Sequence, residues 1–356
     1  NEGQRKAIAA AEVTVLITAG PGTGKTYTLV QRTIYLIEEC GVKPESIFIA
    51  TFTEKAAKEL ITRITNELSD RGIVANINEM YIGTFHSLCL RILKEHLEFT
   101  RLRRNYRLLD AFDQQYMVFQ NIHRFRNIPE VEVALPNGGA WKQSEAICNY
   151  VNNLSEELVT PEELMSDTDL SIAALGRMLK EYRDVLTEGN LMDFSSIQIE
   201  AYRLLQDNVE ILEELRAKVT HIMVDEYQDT NFIQEQLVFL LAGDHKNICV
   251  VGDDDQGLYR FRGATIRNIL EFPQKFAEGE CRVIPLVINY RSNSDIVDFY
   301  NEWMATTDGA KFKFRWDNFR YDKRIEPHEK TTLHSHAVVK LAGMDDTDEW
   351  HEKILQ

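Results

Sequence analysis

No run in this 356-residue sequence approaches the roughly 20 apolar residues that cross a bilayer, and no secretory pattern opens it, so neither a membrane-spanning nor a secreted protein is expected. Cysteine is sparse. The five present (Cys40, Cys89, Cys148, Cys249 and Cys281) are scattered, odd in number and without metal-ligand spacing. That excludes a disulfide scaffold or a zinc cluster, and it fits small core residues in a reducing cytoplasm. Internal repeats and low-complexity tracts are also missing. An excess of basic residues is lacking too: 40 Lys and Arg face 56 Asp and Glu, a net charge of −16. Taken as a sum, this argues against a nucleic-acid partner, because phosphate contacts need cations, although local clusters can overrule a total.

What is present is an alternation. VTVLIT, SIFIATF and MYIGTF read as buried strands, followed by helices over 24–39, 54–70 and 86–96. THIMVD, NICVVGD and CRVIPLV read as further strands, separated by helices over 231–242 and 265–276. Between them, residues 101–197 carry helical periodicity with hardly a strand signal. This predicts an α/β fold: a parallel sheet with helices on both faces and a mostly helical inserted subdomain. The expected units are 1–100 and 198–290 for the sheet domain, 101–197 for the insertion, and 291–356 for the start of something further. That last unit should hold a helix, a basic and aromatic stretch, the strand HAVVKLA and a final helix. The first residue is Asn1 and DDTDEWHEKILQ reads as a helix cut short, so a piece of a longer chain is expected.

The chemistry is concentrated at strand ends. AGPGTGKT, Ala19 to Thr26, follows the first strand and opens a helix. Gly20, Gly22 and Gly24 let backbone N–H groups face phosphate oxygens, Lys25 reaches the β and γ phosphates, and Thr26 offers a hydroxyl to Mg²⁺. The glycine usual five residues before Gly24 is Ala19 here. With Thr23 and Tyr27, these residues form the expected cradle of a nucleoside triphosphate. VDEYQDTN, Val224 to Asn231, ends another apolar strand on two adjacent carboxylates, a costly ending where like charges repel and lose water. Asp225 suits an acidic partner for Mg²⁺ and Glu226 a base that activates water. In VGDDDQGLYRFRGA, Gln256 suits a γ-phosphate sensor, while Tyr259 and Phe261 alternate with arginines as if to stack on bases. In NYRS, Arg291 can act as a charge-stabilising finger.

These segments, together with NEGQ, TFTEKAAKEL and IGTFHSL, occur in the order found in the UvrD/Rep branch of superfamily 1 DNA helicases, which the chain resembles densely over about 1–305. The resemblance implies a RecA-like P-loop motor that uses ATP and Mg²⁺ to move 3′-to-5′ on single-stranded and partly duplex DNA. It implies that Gln4 reads the adenine edge and Tyr290 packs beside it. It implies that Gln256 and Arg291 sense the γ-phosphate. Thr51, Phe52, Thr53, Thr84 and His86 resemble contacts to single-stranded DNA, and Tyr259 and Phe261 the aromatics on which bases stack.

The departures are specific. Phe261 stands where many relatives have Trp, so stacking keeps less area. Glu54 replaces an asparagine in the TFTNKAA pattern and places a negative charge where a DNA backbone would run. DFSSI, Asp193 to Ile197, has Ser196 where the family's segment has a second acid. A V-x-x-x-K-G-L-E-like segment and an arginine-rich closing motif are not found, so the expected content is the first motor domain, its insertion and the beginning of a second. Such a piece is expected to bind ATP, hydrolyse it slowly and unwind nothing. Two clusters offset the acidic total: RLRRNYR with HRFRN nearby, and KFKFRWDNFRYDKR over 311–324. A helicase–nuclease motor and an ATP-switched DNA-binding module are the alternatives.

Overall fold

The computed structural model describes residues 1–11, 13–245, 247–257, 265–305, 321 and 323–328. Tyr259, Phe261, the basic and aromatic stretch over 311–320, the HAVVKLA strand and the terminal helix lie outside them.

The chain opens with α1 (Glu2–Ala9), β1 (Thr14–Ala19), α2 (Lys25–Glu38), β2 (Ile47–Thr51), α3 (Glu54–Asp70), β3 (Tyr81–Thr84) and α4 (Phe85–Glu95). The insertion follows: β4 (Arg107–Leu108), α5 (Ala111–Gln120), α6 (Ile122–Arg126), α7 (Ala140–Glu156), α8 (Pro161–Met165), α9 (Leu170–Glu188) and β5 (Leu191–Met192). Then come α10 (Phe194–Asp207), α11 (Val209–Lys218), β6 (His221–Val224), α12 (Phe232–Ala242), β7 (Ile248–Gly252), α13 (Arg267–Glu271) and β8 (Cys281–Leu286). β9 (Ile288–Asn289), α14 (Ser294–Ala305) and β10 (Glu326–Pro327) complete the described chain.

Six strands form one parallel sheet in the order β3-β2-β6-β7-β1-β8. Its strands read as continuous apolar runs because both faces are covered. The pleat divides each run in two. Leu16, Phe48, Ala50, Ile222, Val224, Ile248 and Val250 enter the core on one face. Val15, Ile17, Ile47, Ile49, Met223, Cys249 and Val251 enter the core on the other. Each fully buried aliphatic side chain contributes about 1.5–3 kcal/mol, so the sheet is a rigid platform. Helix α3 shows how the covering layer is specified: Ala57, Leu60, Ile64 and Leu68 recur at helical spacing and are buried, and Thr53 caps its start.

The insertion packs around a separate core built on Met117, Val118, Phe125, Ile147, Val151, Met178 and Leu179. It is not purely helical, since β4 pairs in parallel with β5 where the chain enters and leaves. Helix α10 then carries the chain back, with Ile197, Ala201, Leu204 and Leu205 in the sheet domain's core. The helix expected over 265–276 is shorter. α13 stops at Glu271 and gives way to a 3-10 turn over Phe272–Lys275, because Pro273 has no N–H to continue the α-helical ladder.

Candidate functional site

In a parallel α/β sheet, ligands bind beyond the carboxyl ends of the strands. Here β6, β7 and β1 lie side by side, and their ends deliver Asp225, Asp253 and the AGPGTGKT loop to one edge. β8 and β9 bring Asn289, Tyr290 and Arg291 to the same edge, and β2 and β3 bring Thr51 and Thr84.

The phosphate loop is held by its neighbours. Gly22 (φ 70°) and Gly24 (φ 86°) adopt left-handed backbone that favours glycine. A Cβ on Gly24 would lie 2.8 Å from Nε2 of Gln4, and one on Gly22 would lie 2.8 Å from Cβ of Arg291. The Thr23 hydroxyl donates to the Gly20 carbonyl (2.8 Å), and Nε2 of Gln4 donates to the Thr23 carbonyl (3.3 Å). Nδ2 of Asn289 donates to the Pro21 carbonyl (2.7 Å), and the Tyr290 N–H to the Gly22 carbonyl (2.9 Å). Gln4 is buried in the first turn of α1, capped by Asn1, whose Nδ2 also donates to the Tyr290 hydroxyl (2.9 Å). Gln4 and Tyr290, the residues expected at the adenine, are therefore bridged by Asn1. Tyr27 is exposed beside them. Sequence reading missed Asn289 and Arg32. The buried Arg32 donates to the Ala7 (2.6 Å) and Ala10 (2.7 Å) carbonyls and so fixes α1, with Gln4, against α2.

At the end of β6 the two carboxylates part company. Asp225 is buried and its N–H donates to the Ala50 carbonyl (2.9 Å). Burial first, and then the charge of Glu226, push its carboxyl up to about 7, against the pull of Lys25. Glu226 is partly exposed, and its φ of 49° and ψ of 49° place a non-glycine residue in left-handed backbone. Such strain persists where the surroundings hold it and clusters at functional sites. Its Oε2 lies 3.5 Å from Nζ of Lys25. The buried Asp225 carboxylate and the Thr26 hydroxyl in the first turn of α2 are oxygen donors of the kind a hard divalent cation takes.

Behind Glu226 runs a polar chain. Nε2 of Gln228 donates to Oε2 of Glu226 (2.9 Å), and Oε1 of Gln228 accepts from the Asp253 N–H (2.9 Å). Oδ2 of Asp253 accepts from Nε2 of Gln256 (2.6 Å). Glu226 and Gln256 are thus linked through the Gln228 side chain and through Asp253, by its backbone N–H and its carboxylate. Asp229 is buried, its Oδ1 has no hydrogen-bond partner, and burial followed by Glu226 pushes its carboxyl up to about 7.

The other edge is locally satisfied. The Thr51 hydroxyl donates to the Thr53 carbonyl (3.0 Å), Thr53 caps α3, and the Thr84 hydroxyl donates to Oε1 of Glu54 (3.0 Å). His86 rests edge-on against Phe194 (5.7 Å) and contacts Nε2 of Gln198 on α10. Burial lowers its pKa. Phe52 is half-buried in the bend between β2 and α3.

A parallel sheet ending in a glycine-rich phosphate loop, with an acidic strand end two strands away, defines a RecA-like P-loop fold. The description "UvrD/REP helicase N-terminal domain" matches residues 1–277, and the chain belongs to that family. It is similar to the ATP-dependent DNA helicase PcrA of Staphylococcus epidermidis, 34% identical over 343 residues, covering 96% of this chain and 45% of that protein. It is also similar to PcrA of Staphylococcus aureus, 33% identical over 338 residues, covering 95% and 44%. The chain therefore spans under half the length of these relatives. Among the described residues, no helix is long and apolar enough to cross a membrane.

Proposed function

We propose that this chain is the ATP-hydrolysing part of a DNA helicase or translocase that moves 3′-to-5′ on single-stranded DNA and opens adjoining duplex. The observation that carries the reading is the meeting of Lys25, Asp225, Glu226 and the Gln228–Asp253–Gln256 chain at neighbouring strand ends. Its similarity to ATP-dependent DNA helicases and its family membership support the same choice.

In this reading Gln4 and Tyr290 bracket adenine, and the backbone N–H groups from Gly20 to Gly24 receive the phosphates. Thr26 and Asp225 are the residues that would hold Mg²⁺, whose charge would offset the phosphate oxygens and favour ionised Asp225. The 3.5 Å pairing of Lys25 with Glu226 has a consequence. An arriving γ-phosphate competes for the ammonium, and the released Glu226 carboxylate can then take a proton from water. Gln256 orients that water or the γ-phosphate, and Arg291 meets charge developing on the phosphoryl oxygens. Movement would pass to DNA through Thr51, Phe52, Thr53, Thr84 and His86, with Tyr259 and Phe261 as stacking groups. The units 1–100, 101–197, 198–290 and 291–356 would then be two halves of one motor domain, its insertion and the start of a second.

The test is ATP turnover by the full-length protein, with and without single-stranded DNA, for wild type and Glu226→Gln. Loss of about 10²–10⁴ in kcat with ATP binding retained is expected. Unchanged turnover removes Glu226 as the base.

A further inference from the structure

The segment 321–328 has no place in the reading so far, yet it touches three parts of the nucleotide site. His328 packs on Tyr290 with ring centroids 4.6 Å apart. Ile325 is buried, and its Cδ1 lies 2.2 Å from where a Cβ on Gly20 would be, so it presses directly on the phosphate loop. β10 pairs with β9 and fixes the register of both contacts.

The third contact is electrostatic. Asp253, Asp254 and Asp255 follow β7, and their carboxylates lie within 4.8 Å of one another, close enough to resemble a cation cage. The cation on hand is the ammonium of Lys323, whose side chain is fully buried. Its Nζ lies 2.6 Å from Oδ1 of Asp253, contacts Oδ1 of Asp254 and lies 3.5 Å from Oδ2 of Asp255. Two further groups close the cluster: the Tyr321 N–H donates to Oδ2 of Asp254 (3.0 Å), and the Tyr300 hydroxyl of α14 donates to Oδ2 of Asp255 (2.7 Å). Three adjacent carboxylates do not stay ionised in a buried setting without such a partner.

Asp253 has two faces. Oδ1 receives Lys323 and Oδ2 receives the amide of Gln256, while its N–H donates to Gln228, which holds Glu226. We infer that Lys323 is a positioning residue for ATP hydrolysis: by holding Asp253 in place, it sets the amide of Gln256 and, through Gln228, the carboxylate of Glu226. One N–H of the Gln256 amide is committed to Asp253, which leaves the other free to face phosphate or water. The segment thus transmits its own placement, and that of α14, to the sensor and the base. This deepens the ATP-hydrolysis reading and rests on it.

The test uses the full-length protein with single-stranded DNA present. Lys323→Met is expected to lower kcat for ATP roughly ten- to hundredfold, the scale of a misplaced catalytic group, with KM for ATP within about twofold of wild type. Lys323→Arg, which keeps the charge, should recover most of the loss. If Lys323→Met lowers the thermal midpoint, the pair Lys323→Met with Asp254→Asn removes one charge of each sign and keeps the cluster balanced. A folded double variant that stays slow supports positioning. One that regains wild-type kcat reduces Lys323 to charge balance and overturns the inference, as does a raised KM with unchanged kcat. Glu226→Gln separates the two failures. If it stops turnover while Lys323→Met does not, the inference alone falls; if Glu226→Gln is itself without effect, the reading beneath it falls too.

Discussion

Two buried acidic centres in this chain are built in opposite ways. At the junction of the insertion with α10, Asp193 is saturated. Its Oδ1 accepts the Ser196 N–H (2.7 Å) in a capping box, and its Oδ2 takes the Tyr182 hydroxyl and Nε2 of Gln114 (3.3 Å). At the end of β6, Asp225 and Asp229 are both pushed up to about 7, and an oxygen of Asp229 has no partner. A carboxylate whose lone pairs are all used within the fold stabilises it. One left short of donors costs stability until a ligand supplies the missing charge. The contrast separates acids satisfied within the fold from acids left short of donors, and it can be broken by substitution.

The largest effect belongs to the saturated centre. Asp193→Ala removes a helix cap and leaves the buried Tyr182 hydroxyl without its acceptor, while the Gln114 amide keeps Asn152 and Tyr182, for a loss of about 2–4 kcal/mol. Denaturant unfolding measures it, while affinity for a fluorescent ATP analogue in the folded protein should stay within about twofold. A loss of nucleotide affinity equal to the loss of stability would erase the distinction.

Asp229→Asn should act with the opposite sign. A carboxyl whose folded pKa of about 7 exceeds its unfolded 3.8 holds a proton that the unfolded chain releases, so stability falls as pH rises through that window. The penalty is complete above about pH 7 and absent below about pH 4. Removing the charge should therefore raise stability at pH 8 by on the order of 1–3 kcal/mol, with the gain vanishing near pH 4. Paired unfolding curves at the two pH values read it, and a variant less stable at pH 8 would place Asp229 with Asp193.

The same contrast explains what could be read from the chain. Strands were legible because both faces of the sheet are buried, which turns β1, β6 and β7 into unbroken apolar runs. Lys25, Asp225 and Glu226 were legible because loop and strand ends place them within a few residues of a recognisable turn. Lys323 was read only as part of the basic stretch over 311–324, and it is instead buried among Asp253, Asp254 and Asp255, partners up to 70 residues away that tertiary packing alone chooses. The role of Ser196 was not legible either: it looked like a lost acid and is instead the N3 residue whose hydroxyl accepts from the Asp193 N–H (2.8 Å). Pro273 was visible, yet the helical periodicity around it outweighed the missing N–H in the reading.

The smallest effect tests the edge that carries Thr51, Thr53 and Thr84. Glu54 was expected to repel a phosphate backbone, and it accepts the Thr84 hydroxyl beside a capped helix start. It belongs with the satisfied acids by its hydrogen bond, yet unlike Asp193 it is exposed. Glu54→Gln keeps an acceptor for Thr84 and removes the charge, so helix α3 should lose only a few tenths of a kcal/mol. Affinity of the full-length protein for a single-stranded oligonucleotide should rise about two- to fivefold at low salt, because one repulsion next to the backbone is gone. Salt should close that gap, since an exposed charge is screened beyond about 8–10 Å at physiological ionic strength. An affinity unchanged at low salt would move the backbone path away from Thr51, Thr53 and Thr84, and leave Glu54 as a cap-side acid with no ligand to answer to.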